Sequence, residues 1–299
     1  MPEATVRYQS DDEDSARWLG FPFRSGDIVI STRSKSGTTW MQMICALLVF
    51  QTPKLPAPLV ELSPWVDWLT QPREQMLAGL TDQQHRRFVK THTPLDGVPV
   101  DPHATYIVVA RHPLDSAVSL YHQGDNIDRA RLRELTGRPE PARPPRPRPS
   151  LRDWLVRWID RESDPRDELD SLPGVMWHLS DAWSRRAEPN VVLVHYDDLI
   201  ADLDGEMRRL ASLLGVSVPR ALWPDLVQAA TFDEMRANAR RTVPSRDGVL
   251  KDTAAFFRRG TSGAGREVLS DDEVEHYYAR TTSMASASLL QWVHRRKPA

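Results

Sequence analysis

A single-domain α/β fold, with a central parallel sheet flanked by helices, is predicted by three observations. Short β-branched apolar runs alternate with helix-period segments, the chain is 299 residues long, and one run ends in the P-loop-like turn Lys35-Ser36-Gly37-Thr38-Thr39-Trp40. Strands buried on both faces read as near-continuous apolar runs, and strands separated by helices run parallel. The runs at 27–31, 105–110 and 191–195 have this character, and 87–92 reads as a further short strand. With 40% hydrophobic and 27% charged residues, a chain of this size can bury one large core, so 1–299 is taken as a single domain.

The elements follow in order. After the strand at 27–31, the turn at 33–38 feeds a helix over 39–51. The strand at 87–92 delivers Lys90 and His92 to a loop, where Pro94 and Gly97 stop regular structure. The strand at 105–110 ends in Arg111, and Pro113 starts a helix over 114–122 that carries Ser119. Arginines alternate with prolines over 138–149, which excludes helix and interior strand, so a loop or lid is expected at about 125–150. Helices are expected over 151–160 and 175–186, then the strand at 191–195, then helices over 198–214, 221–230 and 271–281. Within 198–214, Leu203, Met207, Leu210, Leu213 and Leu214 recur at helical spacing and Gly215 is placed to end the run, so this helix is scaffold.

Composition narrows the function classes. A formal net charge of −2 provides no global basic field, so nucleic acid is not an expected partner. Cys45 is the single cysteine, in an apolar helix face, which fits a reduced, buried thiol and a cytoplasmic setting. Residues 1–14 are polar and acidic, without the pattern of a secretion signal. The apolar runs at 44–50 and 106–110 fall far short of the roughly 20 residues a membrane helix needs, which leaves only peripheral contact with lipid.

The turn at Lys35 carries most of the functional signal. A strand that stops at small hydroxyl residues and restarts as a helix leaves backbone N–H groups aimed outward, where the helix dipole favours an anion. Lys35 adds a full charge, Gly37 permits close approach, and Ser36, Thr38 and Thr39 offer hydroxyls. The same local pattern also serves as an ordinary helix cap. A nucleoside-triphosphate P-loop places its lysine after the second glycine; here the lysine precedes the glycine. Arg111 at the end of a strand, with Ser119 on the next helix, suits a phosphate clamp at the carboxyl edge of the sheet, although an arginine there can equally pair with a carboxylate. Phe256-Phe257-Arg258-Arg259-Gly260-Thr261-Ser262-Gly263 reads as a second clamp or as solvated surface. His92 is a candidate base or a hydrogen-bonded structural residue.

Taken together, the Lys35 turn, Lys90-Thr91-His92, Arg111 through Ser119, and Phe257-Arg258-Arg259-Gly260 resemble, in order and spacing, the cytosolic-type sulfotransferases that use 3′-phosphoadenosine 5′-phosphosulfate (PAPS). The segment 85–97 looks especially like the actinobacterial glycolipid sulfotransferases. The resemblance implies that Lys35, Ser36, Gly37, Thr38 and Thr39 hold the 5′-phosphosulfate, and that Arg111, Ser119, Arg258, Arg259 and Gly260 hold the 3′-phosphate. It places Trp40, Tyr196, Thr231 and Phe232 around the adenine, and makes His92 the base, with Lys35, Lys90 and Ser119 completing the catalytic set.

It further implies PAPS as donor, with the corresponding bisphosphate (PAP) as product, no metal, and a hydroxyl acceptor. A glycolipid or lipophilic natural product is expected ahead of a simple phenol. Trp65, Trp68, Trp154, Trp158 and Tyr121 fall in segments that the resemblance assigns to the acceptor pocket, although the spacing of Trp154 and Trp158 favours packing. Three departures stand out. Arg33-Ser34 replaces the family's Tyr-Pro and is expected to add charge beside the phosphates, 263–267 lacks the family's tryptophan, and Ala230 stands where relatives offer a hydroxyl. The competing readings are an aryl sulfotransferase, a P-loop phosphotransferase drawing a magnesium carboxylate from Asp197 or Asp198, and a nucleotide-binding protein without catalysis.

Overall fold

The computed structural model describes residues 5–141, 147–243 and 247–295. Four strands, β1 (Ile28–Ser31), β2 (Phe88–Thr91), β3 (Thr105–Ala110) and β4 (Val191–His195), form a parallel sheet in the order β2-β1-β3-β4. Side chains alternate across it. Ile28, Ile30, Ile107, Val109, Val192 and Val194 enter one core, while Val29, Val89, Tyr106 and Val108 enter the other. Burial on both faces explains why the strands lack a polar stripe.

Between the strands run α1 (Thr38–Phe50), α2 (Leu59–Leu62) and α3 (Arg73–Asp82), then α4 (Pro113–Asn126), α5 (Arg129–Leu135), α6 (Leu151–Asp160) and α7 (Leu172–Ser184). After β4 come α8 (Tyr196–Ala201), α9 (Leu203–Leu213), α10 (Trp223–Ala229), α11 (Phe232–Ala237), α12 (Ala239–Thr242), α13 (Asp271–Thr282) and α14 (Ala287–His294). Helix α1 is buried on every side from Thr38 through Leu48, because it packs in the centre of the core rather than on its surface.

The parallel sheet and its flanking helices match the predicted class, and several boundaries differ for local reasons. The helix expected over 198–214 is two helices, because the Asp202 side chain accepts the Gly205 amide at 2.8 Å and restarts the chain as α9. Helix α7 begins earlier than 175, at a cap formed by Ser171 on the Gly174 amide. Of the loop expected at about 125–150, α4 continues to Asn126 and α5 forms on an Asp128 cap; residues 142–146, within the proline-rich part, lie outside the described residues. Arg148 donates to the Tyr121 carbonyl and stacks on the Tyr121 ring at 3.6 Å, so the end of this segment is docked on α4.

The 263–267 loop is held by a buried carboxylate. Buried Asp115, in the first turn of α4, accepts the Gly263 amide at 2.8 Å and the Gly265 amide at 2.9 Å. A carboxylate holding two backbone donors fixes the loop without a large side chain. Asp115→Ala orphans both amides, so stability is expected to fall by about 2–4 kcal/mol, measured as a drop in urea midpoint at unchanged m-value.

Candidate functional site

The carboxyl ends of β1, β2 and β3 open onto a cavity of about 270 Å³. In an open parallel sheet this edge gathers loops and helix N-termini, so cations and amide donors converge there without any local sequence clustering. Lys35, Gly37, Thr38, Thr39, Trp40, Lys90, His92, Arg111, Ser119, Tyr196, Phe232, Arg258, Arg259 and Gly260 all line it. Residues from widely separated segments thus meet in one space.

The turn leading to α1 is the floor. Lys35 adopts a left-handed backbone at φ 66° and Gly37 one at φ 103°, and Gly37 caps α1 without any side-chain bond, leaving the first helix amides open. A Cβ on Gly37 would lie 3.0 Å from the Tyr196 ring, so glycine is needed both for the backbone angle and for the ring above it. Tyr196 meets Trp40 edge-on at 5.2 Å, and Trp40 Nε1 donates to the Ala230 carbonyl at 2.8 Å. Ala230 therefore serves this wall through its backbone carbonyl. Gly260 at φ 68° crosses the face of Phe232, where a Cβ would approach to 2.6 Å, and Phe232 rests edge-on against Phe257 at 5.7 Å.

Among the described residues, Lys35, Lys90 and Arg111 lack acidic partners within ion-pair distance. Arg111 donates to the Lys35 carbonyl at 3.2 Å and the Thr261 carbonyl at 2.8 Å and lies 4.3 Å over the Tyr196 ring, and its Nε has no partner. Lys35 reaches Gln123 at 3.3 Å and sits 4.0 Å from the Phe256 ring centre; Lys90 sits 3.8 Å from that of Trp65. Among the described residues none of these three forms an ion pair. Burial, then the charges of Arg111, Lys90 and Arg258, lower Lys35 to about 7. Burial lowers Lys90 to about 8, against the pull of Glu13 and Asp67. Arg258 is also lowered, by burial and by Arg259 and Arg111, whereas Arg259 pairs with Glu267 at 2.7 Å. Desolvated cations without paired carboxylates carry a stored electrostatic cost and are suited to receive an anion.

His92 is held from several sides. Its Nδ1 lies 2.6 Å from the Thr32 carbonyl, which can only accept, so Nδ1 carries the proton and Nε2 keeps a lone pair. The ring meets Trp65 edge-on at 4.6 Å. The buried Asp67 carboxylate takes the hydroxyls of Thr91 at 2.8 Å and Thr93 at 2.7 Å, pinning the residues on either side of the histidine. Burial, then Lys90 and Arg33, push His92 well below its usual range, which holds it neutral.

Several expected residues lie elsewhere. Ser36 is buried behind the turn, 3.2 Å from the Ser116 hydroxyl, and is off the cavity wall. Thr231 is also off the wall: its hydroxyl donates to the Gln228 carbonyl at 2.8 Å and caps α11. Arg33 does not add charge beside the turn. It is buried, donates to the His92 carbonyl and pairs with Asp170 at 2.6 Å. Asp197 accepts from Ser262 and Asp198 pairs with Arg295, so neither offers a free carboxylate to the cavity. Trp154 and Trp158 stack at 6.5 Å, with Tyr121 against Trp154 at 5.5 Å, in the packing role their spacing favoured.

Trp65 and Trp68 do line the cavity, stacked at 4.0 Å. Sequence reasoning missed Asp12, Glu13 and Asp170 on the cavity wall, and the apolar lining of Leu120, Ile127, Leu132, Val249 and Leu250. No local pattern marks them; a short antiparallel bridge between Ile127 and Leu250 and another between Glu13 and Trp68 bring them in.

A donor-rich anion cleft on a parallel sheet defines a class of group-transfer and nucleotide-binding proteins. Residues 25–285 match the model of the sulfotransferase domain, and the chain belongs to the sulfotransferase family. A glycolipid sulfotransferase of Mycobacterium bovis is 41% identical over 97% of this chain and 94% of its own length. The rat Sulfotransferase 1A1 is 26% identical over 85% of this chain and 84% of its own. Among solved structures, a mouse sulfotransferase complexed with PAP superposes with a TM-score of 0.68 at 18% identity, covering 94% of each chain. A retinol dehydratase in complex with retinol and PAP gives 0.67 at 19% identity, over 95% and 86%. Membership in this family displaces the phosphotransferase alternative.

The lowered lysines make anion binding pH-dependent. A bound dianion raises the Lys35 pKa, so binding favours the protonated lysine: affinity is full below pH 7 and falls as pH rises through it, by up to roughly tenfold per unit. Inorganic sulfate, which does not titrate in this range, is expected to bind progressively more weakly from pH 7 to 9, with proton uptake seen calorimetrically in buffers of different ionisation enthalpy.

Proposed function

We propose that this sulfotransferase moves the sulfuryl group of PAPS onto a hydroxyl of a glycolipid or similarly lipophilic acceptor, by in-line displacement with His92 as general base. The observation that carries the reading is the histidine's tautomer: Nδ1–H is committed to Thr32, and Nε2 is free to accept a proton at a cavity lined by unpaired cations. In the proposed step the acceptor oxygen forms a bond to sulfur as its proton passes to Nε2. The bond from sulfur to the 5′-phosphate oxygen breaks, and PAP departs with the electron pair.

Lys35, Lys90 and the open amides of α1 stabilise the charge that grows on the equatorial oxygens and on the leaving oxygen. Arg111, Ser119, Arg258, Arg259 and Gly260 hold the 3′-phosphate, with Tyr196, Trp40 and Phe232 against the adenine. The anionic donor also restores the base. Its negative charge opposes the effect of Lys90 and Arg33 and brings His92 back toward neutral pKa when, and only when, the donor is bound. The relatives support a glycolipid acceptor, and so does the cavity. An aliphatic chain fits the wall of Leu120, Ile127, Leu132, Val249 and Leu250, and a polar head fits the side of Trp65, Trp68 and Glu13.

His92→Ala is expected to lower kcat by roughly 10²–10⁴ while leaving the Kd for PAP within about threefold; equal losses in both would make His92 structural. A mass-spectrometric screen of lipid extracts with PAPS is expected to show a sulfate mass gain on an amphiphilic hydroxyl compound. Trp68→Ala is expected to raise KM for that acceptor about tenfold with kcat little changed, in line with the loss of one aromatic contact.

A further inference from the structure

Thr32 and Arg33, consecutive residues at the end of β1, grip His92 from two directions. The Thr32 carbonyl takes the ring Nδ1–H, and the Arg33 guanidinium donates to the His92 backbone carbonyl. Arg33 is almost fully buried, and its other arm pairs with Asp170 at 2.6 Å. Asp170 lines the same cavity, and its carbonyl is anchored by Trp158 Nε1 at 2.7 Å. One buried cation therefore bridges the backbone of the candidate base and the cavity wall at Asp170.

We propose that Arg33 is a positioning residue that ties the orientation of His92 to the cavity wall at Asp170, so that the base is aligned only when that wall is in place. The proposal rests on His92 being the base of the sulfuryl transfer proposed above. A guanidinium is suited to this bridge because its planar fork donates in two fixed directions, which an ammonium cannot do. The Nε of Arg33 has no hydrogen-bond partner, so among the described residues these two polar contacts hold the guanidinium and a shift of either is passed to the other. Misplacing a base by a fraction of an ångström to one ångström costs on the order of 10–10² in rate.

The charge of Arg33 is separable from its geometry. His92 is faced by Lys90 and Arg33, by buried His178, and by the buried Asp67 carboxyl beneath the neighbouring threonines. Arg33 lowers the basicity of His92, so the rate is lost as pH falls through the histidine's pKa, and removing the positive charge moves that acid limb to higher pH.

The test compares Arg33→Met, Arg33→Lys and Asp170→Asn in the full chain, with PAP affinity, kcat, acceptor KM and the pH profile of kcat as readouts. R33M is expected to lose roughly 10–100-fold in kcat with an acid limb moved upward. R33K is expected to lose at least about tenfold with the limb in place, and D170N to lose kcat and raise acceptor KM together; in all three the Kd for PAP stays within about twofold. R33M with wild-type kcat and profile overturns the proposal, as does a parallel loss of PAP affinity, which would put Arg33 in the nucleotide site. Should R33M fail to fold, wild-type kcat in R33K and D170N overturns it equally. Absence of sulfate transfer by the wild-type chain to any hydroxyl acceptor would instead sink the sulfotransfer reading itself.

Discussion

Positive charge without paired carboxylates, at the carboxyl edge of a parallel sheet, is the condition on which the rest of this molecule is arranged. Lys90 and Arg111 are buried and Lys35 is half-buried, yet they meet carbonyls, an amide oxygen and aromatic faces rather than paired carboxylates. Such an assembly costs the protein stability, visible in the lowered basicity of both lysines. It persists because the scaffold over-determines it: β1, β2 and β3 are buried on both faces and held in register, so their ends cannot separate to let water in. An anion that enters recovers this cost, which makes binding energy available where charge develops during group transfer.

The same economy of partners explains the histidine. A neutral imidazole with one nitrogen committed to a backbone carbonyl has a single role left for the other. Its position depends on groups that never reach the cavity, chiefly Asp67, which pins Thr91 and Thr93, and Arg33, which holds its carbonyl. Asp115 does comparable service for the 263–265 loop. In each case one buried charged group organises several backbone or hydroxyl groups, an arrangement stiffer than a set of separate neutral bonds.

The acceptor side follows another logic. One wall is apolar and the other is aromatic and acidic, and the two are supplied by segments distant in sequence: residues 12–13, 65–68, 120–132 and 247–250. Short isolated bridges, rather than strands of the main sheet, join these segments. Substrate preference can therefore change through loops while the sheet and its cations stay constant, as expected where function is carried by connections on a rigid frame.

Much of the frame, and the gathering of the Lys35 turn, Arg111 and His92 at one cavity, were legible in the residues themselves. Continuous β-branched runs read as strands covered on both sides, and the Lys35 turn, Arg111 and His92 each follow such a run, so their meeting at one edge follows from parallel topology. What the tertiary structure decided was the partner of each polar group. Arg33 next to the turn reads as an extra charge beside the phosphates, but its ion pair is with Asp170, 137 residues away, and Thr231, which the resemblance places near the adenine, caps a helix. Local pattern determines which backbone a segment adopts; whether a side chain is free to act depends on what the fold brings against it, and that information is spread over the whole chain.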